Sequence, residues 1–320
     1  MQIQWFPGHM NKARNEVKAM IPRVDLLIEV LDARIPYSSE NPMIGELRGN
    51  TPVLKLFAKS DLADPHQTEL WKAWHEKQSG VRAVPVTTDN RSKIRSLKNS
   101  FYQMLPEEQA GKQSMTAMIA GVPNVGKSTI VNILAGRKVA KTGNEPAVTK
   151  GQQQIQIGEG ITLFDTPGML WPNVENPKSG LRLAAVGSVK DTAMEYEDAA
   201  AFLVEYMIKH YPQPLADGFK LDSLPTDAIQ FLEDTGRKRN CLGRSNVVDY
   251  GRISRIVITE FRHGRLGKVT LESPDAIDQE VAELQVSLAA KASAKKSKKA
   301  KRKQAFKAKN AAKQNSRRRR

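Results

Sequence analysis

The chain of 320 residues is short of several things, and each shortage excludes something. Cys241 is the single cysteine, so no disulfide forms within the chain, and a reducing cytoplasm is the expected setting. No run approaches about 18 uninterrupted apolar residues, which argues against a membrane-spanning helix. The segment Met1 to Gly8 lacks the charged-then-apolar build of a secretion signal, so none is expected. No Cys and His cluster has metal-ligand spacing, no Ser/His/Asp set is recognisable, and no internal repeat is visible. Acidic residues vanish from 291–320, where ten lysines and five arginines account for all but one of the +16 net charge.

That basic run repels itself and has little to bury, so it is expected to be disordered alone. Two readings of it stand: a solubilising tail, or a polyanion-binding tail whose cations release counterions from phosphates. With Phe306 as its only aromatic residue, base stacking is not its role.

The rest of the chain, at 40% hydrophobic and 26% charged residues overall, has ordinary globular composition. Strands are expected over 24–31, 52–57, 81–86 and 116–120, with a hairpin of 155–157 and 161–164 around Gly158-Glu159-Gly160. Helices are expected over 65–78, with Leu70, Trp71 and Trp74 on one side, over 94–105, and from Ser128. This alternation predicts a mainly parallel α/β sheet with helices on both faces. Beyond about residue 178, helices are expected over 181–189, 199–211, 226–235 and 246–258. The expected division is 1–178, α/β; 179–285, a smaller helical domain; and 286–320, the basic tail.

Gly121-Val122-Pro123-Asn124-Val125-Gly126-Lys127-Ser128 fits G-x-x-x-x-G-K-[ST] between a strand and a helix. Glycines let backbone N–H groups close around phosphates, and the helix N-terminus adds partial positive charge. Lys127 is expected on the β- and γ-phosphates and the Ser128 hydroxyl on Mg²⁺. Pro123, Asn124, Val125, Gly126 and Thr129 complete this loop. Downstream, Asp165-Thr166-Pro167-Gly168 follows a strand, placing Asp165 for magnesium through water and the Gly168 N–H for the γ-phosphate. Thr149 lies between the two loops, either as a magnesium ligand drawn in by the γ-phosphate or as an ordinary loop threonine.

A guanine-reading [NT]-K-x-D loop is absent downstream of Asp165, where Ser188-Val189-Lys190-Asp191 lacks a preceding strand. Upstream, Ala58-Lys59-Ser60-Asp61 follows a strand. Asp61 can accept from the guanine N1–H and N2–H₂, which adenine does not offer, and Lys59 lies along the base. Ala58 departs from the pattern, lacking the usual amide or hydroxyl. Thr87-Thr88 is placed to back the guanine O6. GTP is therefore favoured over ATP. The loops run base, phosphate, switch, the reverse of the common order, which a parallel sheet tolerates when the cut lies in a surface connection.

With Trp5-Phe6-Pro7-Gly8-His9-Met10, Asp32-Ala33-Arg34-Ile35-Pro36, Gly180-Leu181-Arg182-Leu183 and Phe261-Arg262-His263-Gly264-Arg265-Leu266-Gly267, these permuted loops resemble the circularly permuted GTPases of ribosome assembly, the RbgA/YlqF family. The resemblance implies a P-loop GTPase domain, a C-terminal helical domain that holds rRNA, and action on the large ribosomal subunit precursor. A monomer off the ribosome is expected. Ala58 and the basic tail depart from that family's pattern.

Met169 stands where many GTPases carry a glutamine that orients the attacking water. The resemblance gives that task to His9, against the alternative of a histidine that only packs or caps. It likewise gives Asn124 a K⁺ near the β,γ-bridge, against an asparagine bonded only to backbone. The enzyme reading is a GTPase stimulated by the immature particle; the alternative is a nucleotide-gated RNA-binding factor with incidental hydrolysis.

Overall fold

Strands β1 (Leu26–Asp32) and β2 (Val53–Ala58) are buried at every position, as befits mainly apolar central parallel strands. The computed structural model describes residues 8–109, 111–140, 153–171, 174 and 176–290. Two units make up the chain, Met1–Pro274 and Asp275–Arg320. The described part of the second, 275–290, is helical.

The first unit begins with helix α1 (Gly8–Met20), whose Met10, Ala13 and Val17 are buried at spacings of three and four. After β1 come α2 (Pro42–Leu47), β2, α3 (Pro65–Glu76), β3 (Val81–Pro85) and α4 (Arg91–Phe101). Then follow β4 (Met115–Gly121), α5 (Lys127–Ala135), β5 (Gln153–Gln156) and β6 (Ile161–Asp165). The six strands run in the order β3-β2-β1-β4-β6-β5, all parallel except β5, which pairs antiparallel with β6. The chain therefore adds β2 and β3 on one side of β1 and crosses back to place β4 on the other. The C-terminal ends of β1, β2 and β4 share one edge, and strands leave the central pair in opposite directions there. Ligands of open α/β sheets bind at such an edge.

Helix starts are set by local side chains. Asp64 caps α3 by accepting from His66 N and Gln67 N ahead of Pro65, and Asn41 and Asn90 cap α2 and α4. The inward stripe of α3 is Thr68, Trp71 and His75. Leu70, expected on that side, is 42% exposed, because it precedes the stripe by one residue and so points about 100° away from it. One polar cluster interrupts the apolar core. Glu29 and Lys55 face each other across β1 and β2, 3.2 Å apart, and Lys55 is also paired with Glu40.

From residue 177 the unit is helical: α6 (Pro177–Val186), α7 (Tyr196–His210), α8 (Pro212–Phe219), α9 (Ala228–Lys238) and α10 (Tyr250–Arg262). The change near residue 178 is thus a change of architecture inside the first unit. The helix expected over 246–258 begins later. Ser245 and Asn246 are left-handed, at φ 61° and 60°, and turn the chain back so that Leu242 bridges Val248. Asp249 then caps α10 by accepting from Arg252 N.

Candidate functional site

The phosphate loop is shaped by what its neighbours forbid. At Gly121 a Cβ would lie 2.7 Å from the Val30 carbonyl oxygen of β1, so a side chain there would collide with backbone. Gly126 stands at the cap of α5 with φ +101°, and Asn124 is left-handed at φ +60°. Between them Pro123 and Val125 are buried, while Ser128 and Thr129 are half-buried in the first turn of α5. Lys127, also in that turn, is buried and paired with Asp165 Oδ1.

Asp165 ends β6 and is fully buried, and its Oδ2 has no hydrogen-bond partner. An orphaned buried carboxylate oxygen next to the Ser128 turn suits a hydrated divalent cation. Among the described residues no group of three His, Cys, Asp or Glu could hold a metal alone. A nucleotide's phosphate oxygens would have to complete the shell. The segment after Asp165 is laced to the phosphate loop and its strand. Thr166 Oγ1 donates to Ile119 O at 2.9 Å, and Met169 N donates to Gly121 O at 3.3 Å. At Gly168 a Cβ would approach Pro123 Cα to 3.1 Å. Met169 itself is buried in the core, and its thioether has no hydrogen to donate to a water.

The base loop reaches the same place from a distant part of the sequence. Lys59, at φ +56°, donates from Nζ to Asn124 O at 2.9 Å and to Asp32 Oδ2 at 2.9 Å. The segments around 59 and 124 therefore meet, although 65 residues separate them. Ser60 N donates to Val86 O at 3.3 Å, which sets the Thr87-Thr88 turn beside the base loop. Thr87 is half-buried, with Oγ1 accepting from Asp89 N, and Thr88 and Asp61 are exposed. His9 falls in the first turn of α1, but its side chain lies outside the described structure, as does Thr149 altogether.

Several contributors lie outside the nucleotide loops. Asp32 is buried at the end of β1, gripped by Arg34 through Nε at 2.9 Å and Nη2 at 2.8 Å. Burial opposes its charge, but Arg34 and then Lys59 outweigh it and hold the carboxyl below the usual carboxylate range. Lys59 is pulled below its ordinary range by burial, which Asp32 only partly offsets. Asn124 Nδ2 donates to Gly187 O at 2.8 Å, so the phosphate loop touches the end of α6. Arg262 of α10 bonds the last carbonyls of α6, Ala184 O at 2.8 Å and Ala185 O at 3.0 Å. After α10 the chain returns to the sheet edge: Val269 N donates to Leu62 O at 3.1 Å and Leu271 N to Arg34 O at 2.8 Å. Buried Glu272 then accepts from Ser38 N and Oγ and faces Arg182 Nε at 3.5 Å. Burial raises its pKa, against the pull of Arg182 and those hydrogen bonds. Asp32 and Arg34 were marked in the sequence only as part of the stretch 32–36 that carries the family resemblance, with no role attached.

Residues 116–233 match the family model described as "50S ribosome-binding GTPase". Ribosome biogenesis GTPase A of Bacillus cereus is 38% identical over 293 residues, covering 89% of this chain and 98% of that protein. Its counterpart in Thermotoga maritima is 30% identical, covering 86% and 96%. Among solved structures, GNP-bound YlqF from T. maritima superposes with a TM-score of 0.59 at 27% identity, covering 83% of this chain and 99% of that one.

Proposed function

Because the chain belongs to the ribosome biogenesis GTPase A family and is thus a GTP-hydrolysing ribosome assembly factor, we propose that it holds rRNA of the immature large subunit in its GTP form and leaves after hydrolysis. The observation that carries the nucleotide half of this reading is the bond from Lys59 Nζ to Asn124 O. It joins the loop suited to a guanine base with the loop suited to phosphates. Asp61 accepts from the base edge, Lys59 lies against the base, and the Thr87-Thr88 turn backs the guanine O6.

Lys127 and the backbone N–H groups of 123–129 hold the β- and γ-phosphates, with the N-terminus of α5 adding its dipole. Ser128, Asp165 and Thr149 are the residues that would hold Mg²⁺, which when bound neutralises charge building on the phosphate oxygens. Gly168 N–H senses the γ-phosphate. Water attacks the γ-phosphorus, the bond to the β,γ-bridging oxygen breaks, and GDP and phosphate leave. Met169 is buried and has no polar hydrogen to offer; orienting that water is the task that the family resemblance gives to His9. Asn124, whose Nδ2 is bonded to Gly187 O, presents its amide oxygen as the ligand for K⁺.

The RNA half rests on charge. Arg237, Lys238, Arg239 and Arg244 are exposed around the end of α9, and Arg252 and Arg255 along α10. Residues 179–285 are in this reading the rRNA-holding domain, and 286–320 add attraction without sequence choice. The test measures GTP turnover alone and with precursor 50S particles, and co-sedimentation with GDP or a non-hydrolysable GTP analogue. The expected result is slow intrinsic turnover, strong stimulation by the precursor, and retention only with the analogue. His9→Ala should bind GTP normally but lose the stimulated rate, and KCl should support faster turnover than NaCl. Equal co-sedimentation in both nucleotide states would defeat the release cycle.

A further inference from the structure

Asp61 is exposed in a tight turn, so what aims it is the backbone on either side. Leu62 N donates to Lys59 O at 2.9 Å and closes that turn. On the sheet side the turn is anchored by Ser60 N, which donates to Val86 O at the long distance of 3.3 Å. On the other side the chain returning from α10 takes hold. Val269 N donates to Leu62 O at 3.1 Å, and Asp64 N donates to Thr270 Oγ1 at 3.1 Å. Two successive residues thus grip the segment that leaves the turn, and Thr270 is fully buried.

Asp64 has a second partner in the helical part. Its Oδ1 caps α3 through His66 N and Gln67 N, and its Oδ2 accepts from Tyr211 Oη at 3.0 Å. Thr270 N donates to the same phenol oxygen at 3.4 Å, and Thr270 O lies 3.3 Å from it. A phenol has one hydrogen, and the carboxylate is both the nearer and the charged acceptor. Burial, reinforced by the Asp64 charge, pushes the Tyr211 pKa up, so the hydroxyl remains a donor at neutral pH. Tyr211 is itself fixed at the junction of α7 and α8: its N–H donates to Met207 O at 2.8 Å, and Leu215 N donates to its carbonyl at 3.2 Å. A rigid strut therefore runs from two helices to Asp64, from 147 residues away in the sequence.

We propose that Tyr211 and Thr270 are positioning residues for guanine recognition: by holding Asp64 they fix the far side of the turn that presents Asp61, so the helical part sets how tightly the base is held. The proposal rests on the reading of residues 58–61 as the base loop. Neither side chain touches nucleotide in this role. Both act through Asp64 and the turn.

The test uses substitutions that remove one polar atom and keep the shape. Fluorescent GDP and ADP derivatives are titrated into the full-length wild type, Tyr211→Phe, Thr270→Val, Thr270→Ser and the Tyr211→Phe/Thr270→Val pair, with thermal midpoints recorded for each. Tyr211→Phe and Thr270→Val should each weaken GDP by at least about threefold, while ADP, held by its phosphates alone, changes less than about twofold. Thr270→Ser keeps the accepting oxygen and should bind GDP as the wild type does. The pair should lose less than the product of the two single losses, because both act on Asp64. Equal losses for GDP and ADP, or a GDP loss below threefold from both single variants, would overturn the proposal. Should Tyr211→Phe fail to fold, the contrast of Thr270→Val with Thr270→Ser decides in the same way.

A second cycle asks whether the effect runs through Asp61. In an Asp61→Ala background the base contact is already gone, so adding Tyr211→Phe should leave GDP affinity unchanged. A loss that persists undiminished there would make Tyr211 merely structural and overturn the proposal. The same arm guards the underlying reading. If Asp61→Ala weakened GDP and ADP alike, the base-loop reading itself would fall, and the proposal with it. A selective loss of GDP in Asp61→Ala with no effect of the Tyr211 and Thr270 substitutions would remove only the roles of those two residues.

Discussion

Single residues in the core carry consequences that no motif announces. His75 is fully buried on α3, neither ring nitrogen has a hydrogen-bond partner, and Trp71, Trp74 and Phe57 surround it. Burial, and then the charge of Lys55, lowers its pKa to about 2. The native state therefore resists a proton that the unfolded chain accepts near pH 6.5. Stability is full above that pH and falls as pH drops below it, by up to about 1.4 kcal/mol per unit. His75→Phe should flatten this decline between pH 6.5 and 4.5 in urea titrations, and an identical pH profile would show that the ring takes up no such penalty. The neighbouring Glu29 and Lys55 respond oppositely to single and paired changes. Losing Lys55 leaves buried Glu29 without its counter-charge, whereas losing Glu29 leaves Lys55 still paired with Glu40, and adding Glu29→Gln to Lys55→Met removes the stranded charge at position 29.

At the level of elements, the helical part is bound to the sheet edge by hydrogen bonds as well as by packing. Within the helical part, Arg262 of α10 closes the C-terminus of α6 at Ala184 O and Ala185 O. It also lies 3.2 Å from where a Cβ of Gly187 would be. Arg262→Ala should cost roughly 2 kcal/mol in chemical denaturation, the scale of a lost charged hydrogen bond to buried acceptors. A loss under about 0.5 kcal/mol would mean that α6 ends adequately without it. The sequence located the sheet well, because β1, β2 and β4 are mainly apolar runs and the 155–164 hairpin is marked by two glycines. The phosphate loop and Asp165 were legible because their chemistry needs fixed residues at fixed spacing. What was not legible came from contacts distant in sequence. The partners of Asp32 appear only when Lys59 folds against it, and Val269 and Leu271 read as ordinary apolar residues until their N–H groups meet Leu62 and Arg34. The start of α10 was misread because Val247 and Val248 mimic a helical stripe, while the left-handed Ser245 and Asn246 that prevent it carry no strong signal.

For the molecule as a whole, net charge is concentrated in one stretch: nearly all of the +16 lies in 291–320. Truncation after residue 290 should leave intrinsic GTP turnover unchanged and flatten the salt dependence of binding to precursor particles. If six to ten of those cations contact phosphates, affinity of the full chain falls about 10³–10⁵-fold from 50 to 200 mM salt. Equal salt slopes for both proteins would show that the tail makes no phosphate contacts. The return of the chain across the sheet edge sets an order in time as well as in space. The main-chain bonds from 269 and 271 reach Leu62 and Arg34, the immediate surroundings of the base loop. During synthesis the loops for base and phosphate emerge early, yet these last braces emerge only when most of the polypeptide has been made. The main-chain support that residues 34 and 62 receive from 269 and 271 is thus completed only near the end of translation.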